Sequence, residues 1–257
     1  MGVDYHSVTE IPGSLASKEQ LERLFMRYHF ALPFVKGKSV LEVGCGAGMG
    51  LGYLAKEAEW VVGGDVDRKN LLIAAKTYKK ESKVSLLQLN GETLPFKRET
   101  FDIILLFEAI YYFPQPEKFV EEAYRVLKKN GVLIIETVNK EWSGFTPSPF
   151  SIRYFSAEEL HQLLSPYFKK ISLYGAFAEN EKTFARRVLL LIRRLAGKLG
   201  LIPRTLKGRE KLKRVIYGPL TPIPLIINEK MAIYHPPEEI SARNGRYYKL
   251  LLAIGYK

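Results

Sequence analysis

The first 140 residues alternate between short, continuous apolar runs and longer stretches where apolar side chains return every three or four positions. The two rhythms predict strands and helices in turn. A helix opens near Ser17: Ser17 and Gln20 have capping-box spacing, Leu21, Leu24, Phe25 and Tyr28 follow at helical intervals, and Pro33 ends it. Residues 39–43 read as a buried strand, followed at once by glycines and a helical stretch over 51–57. A second strand covers 60–65, a second helix 68–80 and a third strand 84–89. Residues 101–107 are apolar almost throughout, as in a central parallel strand. A helix over 117–127, a turn at Asn130-Gly131 and a strand over 132–137 complete a series that implies right-handed βαβ units and a parallel sheet.

After residue 140 the rhythm changes. A Pro-rich loop over 145–150 leads to a helix over 156–164, where Ser156 and Glu159 repeat the capping-box spacing, and 168–177 reads as a sixth strand. Residues 178–246 do not continue the alternation, and 247–256 reads as a closing strand. The division that follows is a helical cover at 1–37, a core at 38–177 with 247–257, and an insertion at 178–246.

Charge changes this picture at one place. The chain of 257 residues carries a net +12, and residues 182–214 hold twelve Lys or Arg against one acid, Glu210, so nearly all the excess sits in the insertion. Placed at 100° per residue, 184–199 put Arg186, Arg187, Arg193, Arg194 and Lys198 on one side and Phe184, Val188, Leu191, Ile192, Leu195 and Leu199 on the other. Such a helix fits an anionic membrane surface, and equally a helix packed on its own domain with a solvated basic face. Phosphates would also suit the charge, but Phe184 is the only aromatic residue between 182 and 214, so nucleic acid is not favoured. Cys45 is the single cysteine, which excludes an internal disulfide and suits a reducing, cytoplasmic setting, peripheral at the membrane if the basic face meets lipid. No apolar run reaches the roughly 18 residues of a spanning helix. The four histidines, His6, His29, His161 and His235, have no metal-site spacing.

The sharpest chemical signal is Glu42-Val43-Gly44-Cys45-Gly46-Ala47-Gly48-Met49-Gly50 at a strand-to-helix junction. Glycines permit a tight turn and let a ligand lie on bare backbone, and unpaired N–H groups at a helix start suit a phosphate or carboxylate. A dinucleotide fingerprint requires G-x-G-x-x-G, which fails in both registers because Met49 or Leu51 takes the third glycine's place. Cys45 reads as a small packing residue within the turn.

These residues resemble the first motif of class I S-adenosylmethionine-dependent methyltransferases. The likeness continues in order through Val62-Gly63-Gly64-Asp65-Val66-Asp67, Asn90-Gly91-Glu92-Thr93-Leu94-Pro95-Phe96 with Phe101-Asp102-Ile103-Ile104, and Leu127 to Leu133. It covers about 38–140, continues weakly to 177, and is most similar to the small-molecule branch that includes quinone and sterol methylases. It implies a doubly wound, seven-stranded, mostly parallel Rossmann-like α/β sheet with an antiparallel last strand and a helical insertion before it. It further implies S-adenosylmethionine as cofactor, held by Glu42, Gly44, Cys45, Gly46, Gly48, Asp65, Val66, Asn90, Gly91, Glu92 and Phe107. In that resemblance Asp65 accepts the ribose hydroxyls and Val66 packs on adenine. Asn90 stands where the family often has Asp and can still accept through its amide oxygen.

By the same resemblance the end of the fourth strand faces the cofactor's methionine part, which makes Glu108, Tyr111 and Tyr112, with His29, the candidate substrate-binding residues. Glu108 suits a base or a ligand of the cofactor's amino group, while the two tyrosines also suit packing. No catalytic side chain is obligatory, because the cofactor carries the reactive methyl group. The acceptor class expected is a lipid, quinone or lipid-linked sugar near a membrane. The alternatives are a nicotinamide-dependent oxidoreductase and an inactive cofactor-binding scaffold.

Overall fold

The computed structural model describes residue 5 and residues 8–148, 150–178 and 218–257. The basic helix expected at 184–199, the rest of 182–214, and His6 lie outside the described residues.

Strands that are apolar on both faces must be covered on both, and the sheet is arranged accordingly. Its strands are β2 (Ser39–Val43), β3 (Trp60–Asp65), β4 (Val84–Gln88), β5 (Phe101–Phe107), β6 (Leu127–Val138), β7 (Lys170–Ala178), β9 (Glu238–Ile240) and β10 (Tyr248–Tyr256). Their order is β4-β3-β2-β5-β6-β10-β7-β9, parallel from β4 to β6, with β10 antiparallel between β6 and β7. The seven expected strands are therefore present with the last one reversed, and β9 adds an eighth at the β7 edge, drawn from the stretch expected to be insertion.

Helices α1 (Lys18–Val35), α2 (Leu51–Leu54) and α3 (Arg68–Thr77) share one apolar cluster with Val40, Val61 and Ile103. Helices α4 (Pro116–Val126) and α5 (Ala157–Leu164) share the other with Leu41, Ile104 and Leu133. Both expected capping boxes form: the Ser17 hydroxyl accepts from the Gln20 N–H, and that of Ser156 from the Glu159 N–H. A two-stranded ribbon of β1 (Leu15–Ala16) and β8 (Thr221–Pro222) fastens the later part of the expected insertion to the start of α1, and Ile223 and Ile227 are buried.

Four boundaries differ from expectation. α1 continues past Pro33 to Val35, because a proline so near the end costs one helix hydrogen bond. α2 is a single turn, since Gly50 and Gly52 bring poor helix propensity to a short segment. α3 stops at Thr77, and Tyr78 then turns its hydroxyl to the Gly48 carbonyl (2.6 Å) while accepting from the Gly52 N–H (3.0 Å). Asn130 takes φ 61°, yet 127–138 run on as one strand. The turn is absorbed as a register shift opposite Phe101 and Ile103.

Candidate active site

The strand order reverses between β2 and β5, so the crevice at their carboxyl ends is where an α/β sheet places a ligand. After Val43 the chain turns through Gly44 (φ 71°) and Gly46 (φ 55°), a left-handed region that costs other residues free energy. A Cβ on Gly44 would lie 2.9 Å from Ala109 Cβ, and one on Gly46 2.9 Å from Thr9 Cγ2. Bare backbone is thus required at both. The N–H groups of Gly44 and Cys45 donate to the Gly64 carbonyl (2.7 and 3.0 Å), and that of Gly46 donates to Asp65 Oδ2 (2.8 Å). These three donors are spent on β3. The turn consequently offers a ligand close approach more than an anion cradle.

Asp65 closes β3 with its carboxylate between two backbone donors, Gly46 N–H and Asp67 N–H (2.8 Å each). Burial raises its proton affinity and the two N–H bonds partly offset that. Val66, beside it, leaves an apolar side chain 53% exposed. The Asn90 amide oxygen accepts from Glu92 N–H (2.9 Å), and Glu92 Oε1 accepts from Gln115 N–H (2.6 Å), so both fix the loop that carries Gly91.

These groups line one end of a cavity of about 600 Å³, together with Cys45 and Phe107. That volume lies within the ~300–1,000 Å³ usual for small-molecule sites. Glu108, Tyr111, Tyr112 and Tyr154 line the other end. Tyr111 and Tyr154 stack with centroids 4.5 Å apart, and Tyr111 and Tyr112 meet edge to face at 4.5 Å. Tyr111 donates to Glu108 Oε2 (3.2 Å). Glu108 itself sits at φ 52°, a strained conformation for glutamate, and burial lifts its carboxyl above the ordinary range. Tyr5, Thr9 and Glu10 roof the cavity, fastened by Asn70 Nδ2 donating to Thr9 Oγ1 (3.1 Å) and by Arg27 bound to Glu10 (2.5 Å).

Three of the residues expected in the site lie outside the cavity. Glu42 is buried beneath the turn, accepting from Tyr28 (2.6 Å). Gly48 faces α3, where its Cβ would meet Ala74 at 2.9 Å. His29 points to the far side of α1, with Nδ1 2.8 Å from the Tyr53 hydroxyl and its ring against Tyr234. Conversely, Tyr5, Thr9, Glu10, Arg27 and Tyr154 line the cavity and escaped the sequence reading. Arg27 had a signal: it shares the helical face of Leu24, Tyr28 and Ala31, where a cation is buried and needs a partner. So did Glu136, an acid inside the apolar strand β6.

A glycine turn, a carboxylate and an apolar side chain around one crevice are the groups that suit a nucleoside in an α/β domain, and Glu108, Tyr111 and Tyr112 line the same cavity. Residues 41–135 match the family model for the methyltransferase domain, and this domain belongs to the class I S-adenosylmethionine-dependent methyltransferases. S-adenosylmethionine is its cofactor. The residues fit it: bare backbone at Gly44 and Gly46, Asp65 for the ribose hydroxyls and Val66 for the base. A probable S-adenosylmethionine-dependent methyltransferase of Mycobacterium tuberculosis is 30% identical over 157 residues, 58% of this chain and 56% of that one. A ubiquinone biosynthesis O-methyltransferase of Bartonella bacilliformis is 29% identical over 130 residues, 50% of this chain and 52% of that one. The chain thus spans little more than half the length of these relatives. Among solved structures, a SAM-dependent methyltransferase from Thermotoga maritima has the same fold, with TM-score 0.56 and 20% identity over 93% of this chain and 91% of that one.

Proposed function

We propose that the whole chain transfers a methyl group from S-adenosylmethionine to a small acceptor entering at Glu108, Tyr111, Tyr112 and Tyr154. The observation that carries this reading is that Asp65 and Gly46 line the same cavity as Glu108, Tyr111 and Tyr112. The cofactor supplies an electrophilic methyl group on a sulfonium. The protein's part is alignment, exclusion of water and handling of a proton. Asp65 holds the ribose, Val66 and Asn90 flank the base, and the roof of Tyr5 and Thr9 keeps water out. Glu108, with raised proton affinity at the acceptor end, is placed to take a proton from the attacking atom.

A lipid, quinone or lipid-linked sugar at a membrane surface remains our acceptor reading. The basic and apolar faces written into 184–199 support the surface, and relatives named ubiquinone biosynthesis O-methyltransferase support the quinone. Among the described residues no helix is long and apolar enough to cross a membrane. The same reading divides the chain into the cover 1–37, the core 38–177 with 247–257, and the substrate-recognition insertion 178–246.

Calorimetry with S-adenosylmethionine, its demethylated product and NAD tests the core claim, followed by incubation with labelled methyl donor and cell extract. The first two ligands bind, NAD does not, and label moves to a small molecule. Binding of NAD alone, or binding without any transfer, refutes it. Flotation with anionic liposomes tests the surface: retention that fails to weaken with salt, or no retention, removes the membrane.

A further inference from the structure

The chain is strongly basic, yet the described residues lining the cavity include the acids Glu10, Asp65, Glu92 and Glu108 and a single cation, Arg27. Three of the acids have their needs met: Asp65 by two backbone N–H groups, Glu92 by Gln115 N–H, and Glu10 by Arg27. Glu108 differs. Its Oε2 receives Tyr111, but its Oε1 is buried with no hydrogen-bond partner. Behind it lies Glu136, fully buried, with neither oxygen hydrogen-bonded and Arg27 Nη1 3.9 Å away. Arg27 pairs with Glu10 and Glu136, and the charges of Arg27 and of Arg23, itself bound to Glu19, are what the carboxyls of Glu108 and Glu136 feel. A buried cluster this short of positive charge favours a cation brought from outside. The faces of Tyr111, Tyr112 and Tyr154 at the same end also attract cations. Among the described residues no lysine or arginine other than Arg27 lines the cavity to meet a phosphate or carboxylate.

From this arrangement we infer that the acceptor is an amine, carried into the cavity as an ammonium with an N–H donated to the Glu108 carboxylate, and that nitrogen is the atom methylated. The inference rests on the cavity being the methyl-transfer site. It keeps a lipid with an amine head as acceptor and sets aside the quinone hydroxyl. The proton leaves the ammonium for the Glu108 carboxylate and frees the nitrogen lone pair. A nitrogen–carbon bond then forms as the cofactor's sulfur–carbon bond breaks, its electron pair staying on sulfur. Positive charge passes from sulfur to the methylated nitrogen, and Glu108 returns its proton to water. A hydroxyl acceptor would instead gather negative charge on oxygen beside the carboxyls of Glu10 and Glu108, with Arg27 the one cation among the described lining residues.

Two measurements on the full chain decide this. Purified protein with methyl-labelled S-adenosylmethionine and a small-molecule extract is quenched and passed over a cation exchanger at acidic pH. Label is expected on a retained molecule that becomes extractable into organic solvent only at alkaline pH. Label on a neutral or anionic product overturns the inference while leaving the methyltransferase reading intact, and no labelled product at all overturns that reading instead. Calorimetry with benzyltrimethylammonium, on protein saturated with the demethylated cofactor, gives the second readout. Binding is expected, tenfold or more weaker in Glu108→Gln, with S-adenosylmethionine affinity held within twofold. Loss of cofactor affinity in Glu108→Gln would show that Glu108 serves the cofactor's own amino group, and the inference falls. So would equal binding of benzyltrimethylammonium by both proteins.

Discussion

Glu42→Gln should make the protein more stable at neutral pH, and by an amount that depends on pH in a defined way. Glu42 is 1% exposed, its Oε1 accepts from Tyr28, and its Oε2 is buried without a partner. Burial pushes its carboxyl up to about 7 from an ordinary 4.5, outweighing the Tyr28 bond and the Arg27 charge that favour ionisation. A carboxyl raised in the folded state stabilises the fold below the unfolded value, and that contribution is lost as pH climbs to the folded one. At ~1.36 kcal/mol per unit, the loss between pH 4.5 and 7 is about 3 kcal/mol. The glutamine cannot ionise, and its amide oxygen still accepts from Tyr28, though its NH₂ lacks an acceptor at a cost of ~1 kcal/mol or more. The variant should therefore be slightly less stable than the parent at pH 4.5, equal near pH 5.5, and more stable by about 2 kcal/mol at pH 7.5. Urea denaturation of the two ligand-free proteins at four pH values gives the difference curve. Glu108 and Glu136 also carry raised carboxyls, but they are present in both proteins and largely cancel. Parallel stability curves, or a gap that turns against the variant as pH rises, would refute the assignment of Glu42 as a buried carboxyl ionised at a cost.

Asp65→Asn removes the charge proposed to meet the ribose, and S-adenosylmethionine affinity should fall roughly 10- to 100-fold by calorimetry, the ~1.5–3 kcal/mol of a charge-assisted hydrogen bond; unchanged affinity would place the ribose elsewhere. Gly44→Ala combines a left-handed φ of 71° with a Cβ 2.9 Å from Ala109 Cβ. It should cost about 2–5 kcal/mol in denaturant, ~1–2 from the backbone and ~1–3 from crowding, and a cost below 1 kcal/mol would mean the turn relaxes freely. Lys128→Met should move the Asp102 carboxyl upward from about 2, because Lys128 and Ser39 bonds hold it down against burial. Its stabilisation is present above the ordinary carboxyl value and lost as pH falls toward 2, so the variant's acid transition loses that limb. Side-chain carboxyl NMR titration reads the shift directly, and a value still near 2 would deny the Lys128 contribution.

How far the fold could be read from the sequence depended on how local each cause was. Capping boxes at Ser17 and Ser156 and the apolar run 101–107 act within a few residues, and each element appears where its pattern lies. Boundaries moved where a distant partner intervened: Tyr78 ends α3 by reaching back to Gly48, and β9 exists because β7 leaves an open edge. The rim of the site was legible because Gly44, Gly46 and Asp65 are adjacent along βα turns. The roof was not. Thr9 reaches the site by meeting Asn70, 61 positions away, and no periodicity encodes such a pairing. His29 and Arg27 show the same limit on one helix: two positions apart, they face opposite ways, and only packing against Tyr53 and Tyr234 shows which of them the cavity receives.

The buried side-chain polar atoms without partners are not scattered over the described residues. They belong to Arg23, Arg27, Glu42, Glu108 and Glu136, on α1, in the carboxyl halves of β2 and β6, or directly after β5. A fold selected for stability alone would satisfy or remove these groups, since each unmet polar atom costs ~1–3 kcal/mol. Elsewhere the chain does satisfy them: Lys128, Asp102 and Ser39 form a closed network at the opposite end of the same sheet. The contrast separates two ends of one scaffold, one built to hold and the other left incomplete. An incomplete polar site should gain stability when its ligand arrives, by RT ln(1 + [L]/Kd) for a ligand that binds only the folded state. On the proposed reading the two ligands share this one space, so cofactor and acceptor should each raise the melting temperature alone and raise it further together.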